Sequence, residues 1–252
     1  MGSTPEEHRP ARESQNPATQ PQARAIDAPW VIDAHHRLLQ RVARAPMRDI
    51  DVVFVGDSIT EFWLQQGEAH WLQGFTAGAG KLEALNLGVA GDRTEHVLHR
   101  IRPQEEGGLG NLDHPDLAPR FVVMLIGTNN TFVHGNKQIA AGVTAVAQAL
   151  RAAEPQARVL VCSILPQGDV GRNQQVIEPI NRAVAHELAP PNHGGNVSFV
   201  DLTPLFSLHG RRFERLFGDD VHLSAAGYAV FKRALVERFT TLETGTGAQN
   251  PP

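Results

Sequence analysis

A single cysteine in 252 residues rules out any disulfide within the chain, so packing and hydrogen bonding must hold the fold. That residue, Cys162, lies inside the apolar run RVLVCSIL and reads as a buried core thiol. Charge of one dominant sign is also missing: 23 Lys and Arg stand against 27 Asp and Glu, a net charge of −4, which leaves no electrostatic footprint for nucleic acid. A small or neutral partner is expected instead. The apolar runs fall short of the roughly 20 residues that a membrane helix needs. The N-terminus lacks the continuous apolar core of a secretory signal. The expectation is a cytoplasmic protein with no integral membrane segment. Cofactor signatures are missing as well. No G-x-G-x-x-G follows a strand, and GFTAGAGKL has neither the spacing nor the Ser/Thr of a phosphate-binding loop. His96 and His99 are three apart and His35 and His36 adjacent, but no H-E-x-x-H or carboxylate-rich pattern accompanies them, so no metal is expected.

What is present points to one folded domain. Hydrophobic residues make up 41% of the chain, enough for one full core. Residues 1–25, rich in Pro, Gln, Ser and Glu, predict a disordered N-terminal tail, and residues 243–252 a flexible C-terminal one, leaving a domain at 26–242. Within it, short apolar runs at 51–56, 83–88, 120–126, 158–164 and 197–201 read as strands. They alternate with helical patterns at 30–45, 59–66, 93–102, 137–153, 172–189 and 224–240. Strands alternating with helices predict a three-layer α/β/α sandwich around a five-stranded parallel sheet. Ligands of such sheets sit beyond the carboxyl ends of the strands, which directs attention to the residues there.

After the first strand comes Gly56-Asp57-Ser58, and Ser58 has two readings. It is a nucleophile, or it is the cap of the S-x-x-E box formed with Glu61. After the second strand, GVAGDRTE places Gly91 just ahead of a helix that Asp92 and Glu95 would cap, where backbone N–H groups favour negative charge. After the third comes Asn129 in GTNN, and late in the chain GDDVHLS sets Asp219 three residues before His222, ahead of a helix that Ser224 could cap. Together these are the parts of acyl transfer. A serine hydroxyl needs a base, a histidine ring changes charge near neutral pH, and a carboxylate on its second nitrogen fixes the tautomer. The oxyanion needs donors, for which the backbone N–H groups of Ser58 and Gly91 and the side-chain amide of Asn129 are the candidates.

The blocks GDSI, GVAGDR, GTNN and DDVHLS, in that order, resemble those of the SGNH hydrolases, also called the GDSL esterase/lipase superfamily. The longer match over about residues 33–240 is most similar to the platelet-activating factor acetylhydrolase catalytic-subunit group. The resemblance implies a flavodoxin-like fold and a serine esterase that needs neither metal nor other cofactor. It makes Ser58 the nucleophile, Gly91 and Asn129 oxyanion residues, and Asp219 and His222 the rest of the triad, with Asp220 a solvent-exposed neighbour. It also implies a short-acyl pocket walled by Ile59, Thr128 and Val221, the last standing where those subunits carry a larger leucine, and association into a homodimer. Two other readings stand beside it: a catalytically silent assembly subunit, and a noncatalytic flavodoxin-like cofactor-binding module. Trp63 and Trp71 read as packing against the sheet or as lining of a substrate cleft.

Overall fold

The computed structural model describes residues 15–25, 28–78, 81–190 and 195–244. Its parallel sheet contains β1 (Val52–Gly56), β2 (Ala84–Gly88), β3 (Phe121–Leu125), β4 (Arg158–Cys162) and β5 (Val197–Val200), in the order β2-β1-β3-β4-β5. Each strand falls inside its expected apolar run. The helices are α1 (Pro29–Arg44), α2 (Ser58–Glu61), α3 (Glu68–Gly74), α4 (Thr94–Ile101), α5 (Asn136–Ala153), α6 (Val170–Arg172), α7 (Glu178–Glu187), α8 (Thr203–Phe206) and α9 (Ala225–Thr244).

Alternation along the strands divides the core in two. Val53 and Val55 of β1 pack with α1, α4, α5 and α7 through Leu38, Val97, Val146 and Val184. Val52 and Phe54 face the opposite layer, where Ile59, Trp63, Trp71, Phe75, Tyr228 and Phe231 cluster. The two tryptophans are therefore core residues: Trp63 lies 4.7 Å from Tyr228 and 5.3 Å from Phe231, centroid to centroid, and Trp71 lies 5.1 Å from Phe54. This is the three-layer α/β/α sandwich, with helices on both faces of the sheet.

The strand order reverses direction at β1, so the crevice beyond the ends of β1 and β3 is the topological switch point where such folds bind ligands. Gly56 is paired in register with Gly88 on one side and Leu125 on the other, which gathers three loops at one edge. Close approach there depends on the absence of side chains. A Cβ on Gly88 would lie 2.3 Å from the Glu61 backbone nitrogen, and one on Gly56 would lie 2.2 Å from the Leu125 carbonyl oxygen. The two glycines let α2 press directly onto the strand ends.

Four local expectations change. Residues 15–25 are packed on the domain, although their composition pointed to disorder. Ala18 is fully buried, its carbonyl accepts from Thr94 Oγ1, the Asn16 amide donates to the Gln138 carbonyl, and the Gln22 N–H donates to the Glu95 carbonyl. Contacts to α4 and α5 order a segment that has too little apolar surface to order itself. Residues 1–14 and 245–252 lie outside the described residues, and α9 runs to Thr244, past the expected domain end at 242. The expected helix at 59–66 ends at Glu61 in a 3₁₀ turn, Phe62–Leu64, and the expected helix at 172–189 begins as α6 and a π turn, Asn173–Ile177. In that turn the Asn173 amide donates to the Gln167 and Gly210 carbonyls and accepts from the Gln167 N–H, tying the loop after β4 to the turn of the hairpin formed by β6 (Ser207–Leu208) and β7 (Arg211–Arg212).

Candidate active site

At the end of β1 the two readings of Ser58 separate. Asp57 caps α2, its Oδ1 accepting the Ile59 N–H at 3.0 Å, and Ser58 occupies the first helical position with its hydroxyl free of capping. Glu61 does not complete a capping box. Its Oε2 accepts the Ala90 N–H at 2.7 Å and its Oε1 pairs with Arg37 at 2.7 Å. Asp57 is fully buried, and burial, with the nearby Asp92 charge adding to it, pushes its carboxyl up to about 7 against the pull of the Ile59 N–H.

The Ser58 hydroxyl meets His222 instead. His222 Nε2 lies 2.9 Å from Ser58 Oγ, and His222 Nδ1 lies 2.8 Å from Asp219 Oδ2. Asp219 Oδ1 accepts two backbone N–H groups, from Val221 at 2.8 Å and His222 at 2.7 Å. Partial burial alone would raise the Asp219 carboxyl, but these N–H groups and the imidazole outweigh it and hold it below the ordinary carboxylate range. Asp220 faces solvent, its Oδ1 lying 3.6 Å from Arg212, while its carbonyl accepts the Gly168 N–H at 2.9 Å. Ser224 stands before α9, accepting the Gly227 N–H at 3.3 Å. Serine, histidine and Asp219 thus form one hydrogen-bonded chain across 164 residues of sequence.

On the neighbouring strand ends, the Gly91 N–H has no acceptor among the described residues, and the Ser58 N–H, being first in its helix, has no intrahelical one. Asn129 is half-buried and its Nδ2 donates to the Asp92 carbonyl at 2.8 Å, which leaves the second amide hydrogen for another acceptor. Asn130, its twin in GTNN, is structural: its Oδ1 accepts the Thr94 N–H at the start of α4 and its amide donates to Thr94 Oγ1 and Glu95 Oε2. The expected Asp92 cap of α4 is therefore absent. Asp92 is buried against Arg100 at 2.7 Å and Arg24 at 3.1 Å. Burial pushes His96 down to about 4, so its neutral ring accepts the Arg93 N–H on Nδ1 at 3.1 Å.

Of the expected pocket residues, Ile59 is fully buried in the core and Thr128 is buried, leaving Val221, beside His222, the one of the three with solvent exposure. Two residues that sequence reasoning missed brace the histidine loop. The Phe62 ring packs 4.9 Å from the His222 ring, and Arg212 of β7 donates to the Asp219 carbonyl at 2.7 Å while lying over Phe217. Phe62 is four residues from Ser58, a spacing that could have flagged it; Arg212 carries no local signal.

The comparisons place the chain in a class. The GDSL-like Lipase/Acylhydrolase family matches residues 54–230, and the chain belongs to that family, whose chemistry makes it a carboxylic ester hydrolase. It is similar to platelet-activating factor acetylhydrolase IB subunit alpha1 of Pongo abelii, 35% identical over 249 residues that cover 93% of this chain and 95% of the relative. Subunit alpha2 of Bos taurus is likewise 35% identical over 235 residues, covering 88% and 90%. Among solved structures, a carbohydrate esterase family 3 protein from Talaromyces cellulolyticus (TM-score 0.51, 20% identity, 77% of this chain and 97% of that one) shares the fold. So does a lipolytic G-D-S-L family protein from Veillonella parvula (TM-score 0.52, 16% identity, 76% and 98%). Among the described residues, no helix is long and apolar enough to cross a membrane.

Proposed function

We propose that the chain hydrolyses short-acyl carboxylic esters through a covalent acyl-serine. Ser58 Oγ attacks the ester carbonyl and passes its proton to His222 Nε2, while Asp219 steadies the imidazolium. Collapse of the tetrahedral adduct breaks the bond to the alcohol oxygen, which takes that proton. Water then repeats the sequence on the acyl-serine and releases the acid. The oxyanion is held by the backbone N–H groups of Ser58 and Gly91 and by Asn129 Nδ2. The observation that carries this reading is the relay of 2.8 and 2.9 Å from Asp219 through His222 to Ser58.

Acetyl-sized groups are favoured by the acetylhydrolase relatives at 35% identity and by the burial of Ile59 and Thr128, which leaves only Val221 of the three open to solvent. A p-nitrophenyl ester series from acetate to octanoate tests both parts. The highest kcat/KM is expected at the short end, Val221→Leu should narrow the range further, and Ser58→Ala should lower kcat by roughly 10⁴- to 10⁶-fold. Full turnover by Ser58→Ala would overturn the mechanism, and a maximum at octanoate would overturn the short-acyl assignment.

A further inference from the structure

The Gly91 N–H is presented by a turn with an unusual set of anchors. The Asp92 N–H donates to the Val89 carbonyl at 3.1 Å, closing a four-residue turn with Ala90 and Gly91 at its centre. Gly91 has φ +78° and Ala90 is not among the residues of positive φ, which makes the turn type II. Types I and II differ by a half-rotation of the central peptide, here the one joining the Ala90 carbonyl to the Gly91 N–H, and glycine tolerates both forms. The anchors at the ends of the turn do not choose between them. Glu61 holds the Ala90 N–H and Val89 holds the Asp92 N–H, and neither group belongs to the central peptide.

One side chain does grip it. Arg24 Nη1 donates to the Ala90 carbonyl at 2.5 Å and to Asp92 Oδ1 at 3.1 Å. Its guanidinium lies 4.7 Å from the Trp30 ring centroid, and a Cβ on Gly91 would fall 2.4 Å from Arg24 Nη2. In a trans peptide the C=O and N–H point in opposite directions. A cation on the Ala90 oxygen therefore fixes which way the Gly91 N–H points, and it polarises the same peptide so that the N–H becomes a stronger donor.

We propose that Arg24 is the positioning residue of the oxyanion hole, locking the Ala90–Gly91 peptide in its type II orientation from the N-terminal segment. The proposal rests on the reading that the Gly91 N–H meets the oxyanion. It gives the packed stretch 15–25 a function: contacts of Asn16, Ala18 and Gln22 with α4 and α5 hold the strap that carries Arg24 to the turn. The step from ground state to transition state is where the grip acts, because only the tetrahedral adduct places full negative charge on the carbonyl oxygen.

The test uses the full chain and p-nitrophenyl acetate, with Arg24→Ala, Arg24→Lys, Asn129→Ala and Ser58→Ala compared. Removing one oxyanion donor typically costs about 10²- to 10³-fold in kcat, so loss of its orientation in Arg24→Ala should cost roughly 10- to 100-fold with KM within about 2-fold. Affinity for a boronic acid that forms a tetrahedral adduct on Ser58 should fall in parallel with kcat, while affinity for acetate should not. Added guanidinium should restore part of the Arg24→Ala rate, a rescue that a purely structural role would not show, and Arg24→Lys should fall between Arg24→Ala and the parent chain. If Asn129→Ala and Ser58→Ala collapse the rate while Arg24→Ala matches the parent, or loses rate with no guanidinium rescue, the positioning role is wrong and the hydrolase reading stands. If Ser58→Ala keeps its turnover, or Asn129→Ala keeps its kcat, the underlying reading fails instead.

Discussion

The two halves of the site are built in opposite ways. On the nucleophile side, Asp57, Glu61 and Asp92 are at most 1% exposed; the buried Arg100 answers Asp92 and the half-buried Arg41 reaches Glu61. On the acid–base side, the Asp219 side chain is 58% exposed and that of His222 28%. Charges out of water must be paired in fixed geometry, so the buried half sets the position of Ser58 and of the Gly91 turn rigidly. Charges in water are screened and cheap to reorient, so the exposed half depends on short local bonds: two backbone N–H groups on Asp219, the Arg212 donor and the Phe62 ring. In the proposed mechanism this puts the buried, paired charges where the oxyanion would form and the solvent-exposed ones where a proton would move.

The sharpest way to break this contrast is in the exposed half, where two adjacent acids differ only in what they touch. Asp219→Asn should lower kcat by roughly 10²- to 10⁴-fold, because an amide cannot hold the imidazolium. Asp220→Asn, on a side chain 90% exposed, should leave kcat within about 3-fold of the parent. Steady-state kinetics on one ester decides the matter, and the reverse ranking would assign the wrong carboxylate.

In the buried half the effect moves from rate to stability. Arg100→Met leaves Asp92 short of the partner at 2.7 Å, and breaking such a pair should cost about 3–5 kcal/mol in urea unfolding, partly recovered when Asp92→Asn is added. A loss below about 1 kcal/mol would mean that Arg24 alone suffices for Asp92. On the exposed side, Glu214→Ala, which removes the Arg212 partner on the rim, should leave the unfolding midpoint unchanged.

A further contrast is a pH dependence in the buried half. Asp57 titrates at about 7 when folded, above the ordinary carboxylate value of about 3.9. A raised carboxyl keeps its proton in the folded state while the unfolded chain has lost it, so its contribution to stability declines as pH rises through that window. Asp57→Asn keeps an acceptor for the Ile59 N–H and removes the titration. Its unfolding free energy should therefore decline less than that of the parent between pH 4 and 7, the difference being widest above the upper limit of that range. Parallel curves would show that Asp57 is ionised when folded.

Much of this was legible in one dimension because it is local. Five apolar runs, the first three closed by Gly56, Gly88 and Gly127, the three-residue step from Asp219 to His222, and the GTNN and GVAGDR turns each place a residue at a strand end by short-range rules. What escaped depends on distant groups. Ser58 lost its capping role because Asp57 took it and Glu61 was claimed by Ala90 and Arg37, 29 and 24 residues away. Residues 15–25 have the composition of a tail, and no local rule shows that Thr94 and Gln138 receive them.

The sequence by itself determined the parallel sheet, the order of the loops at its edge and the residue types that acyl transfer needs, because hydrophobic period and turn chemistry act over a few residues. Only the tertiary structure decided that Asp57 rather than Ser58 caps α2, that Asn130 is spent on Thr94 and Glu95, and that an arginine from the N-terminal strap holds the Gly91 turn. Those choices are made by burial: once water is excluded, each charge and each backbone N–H must find its partner wherever the fold brings one.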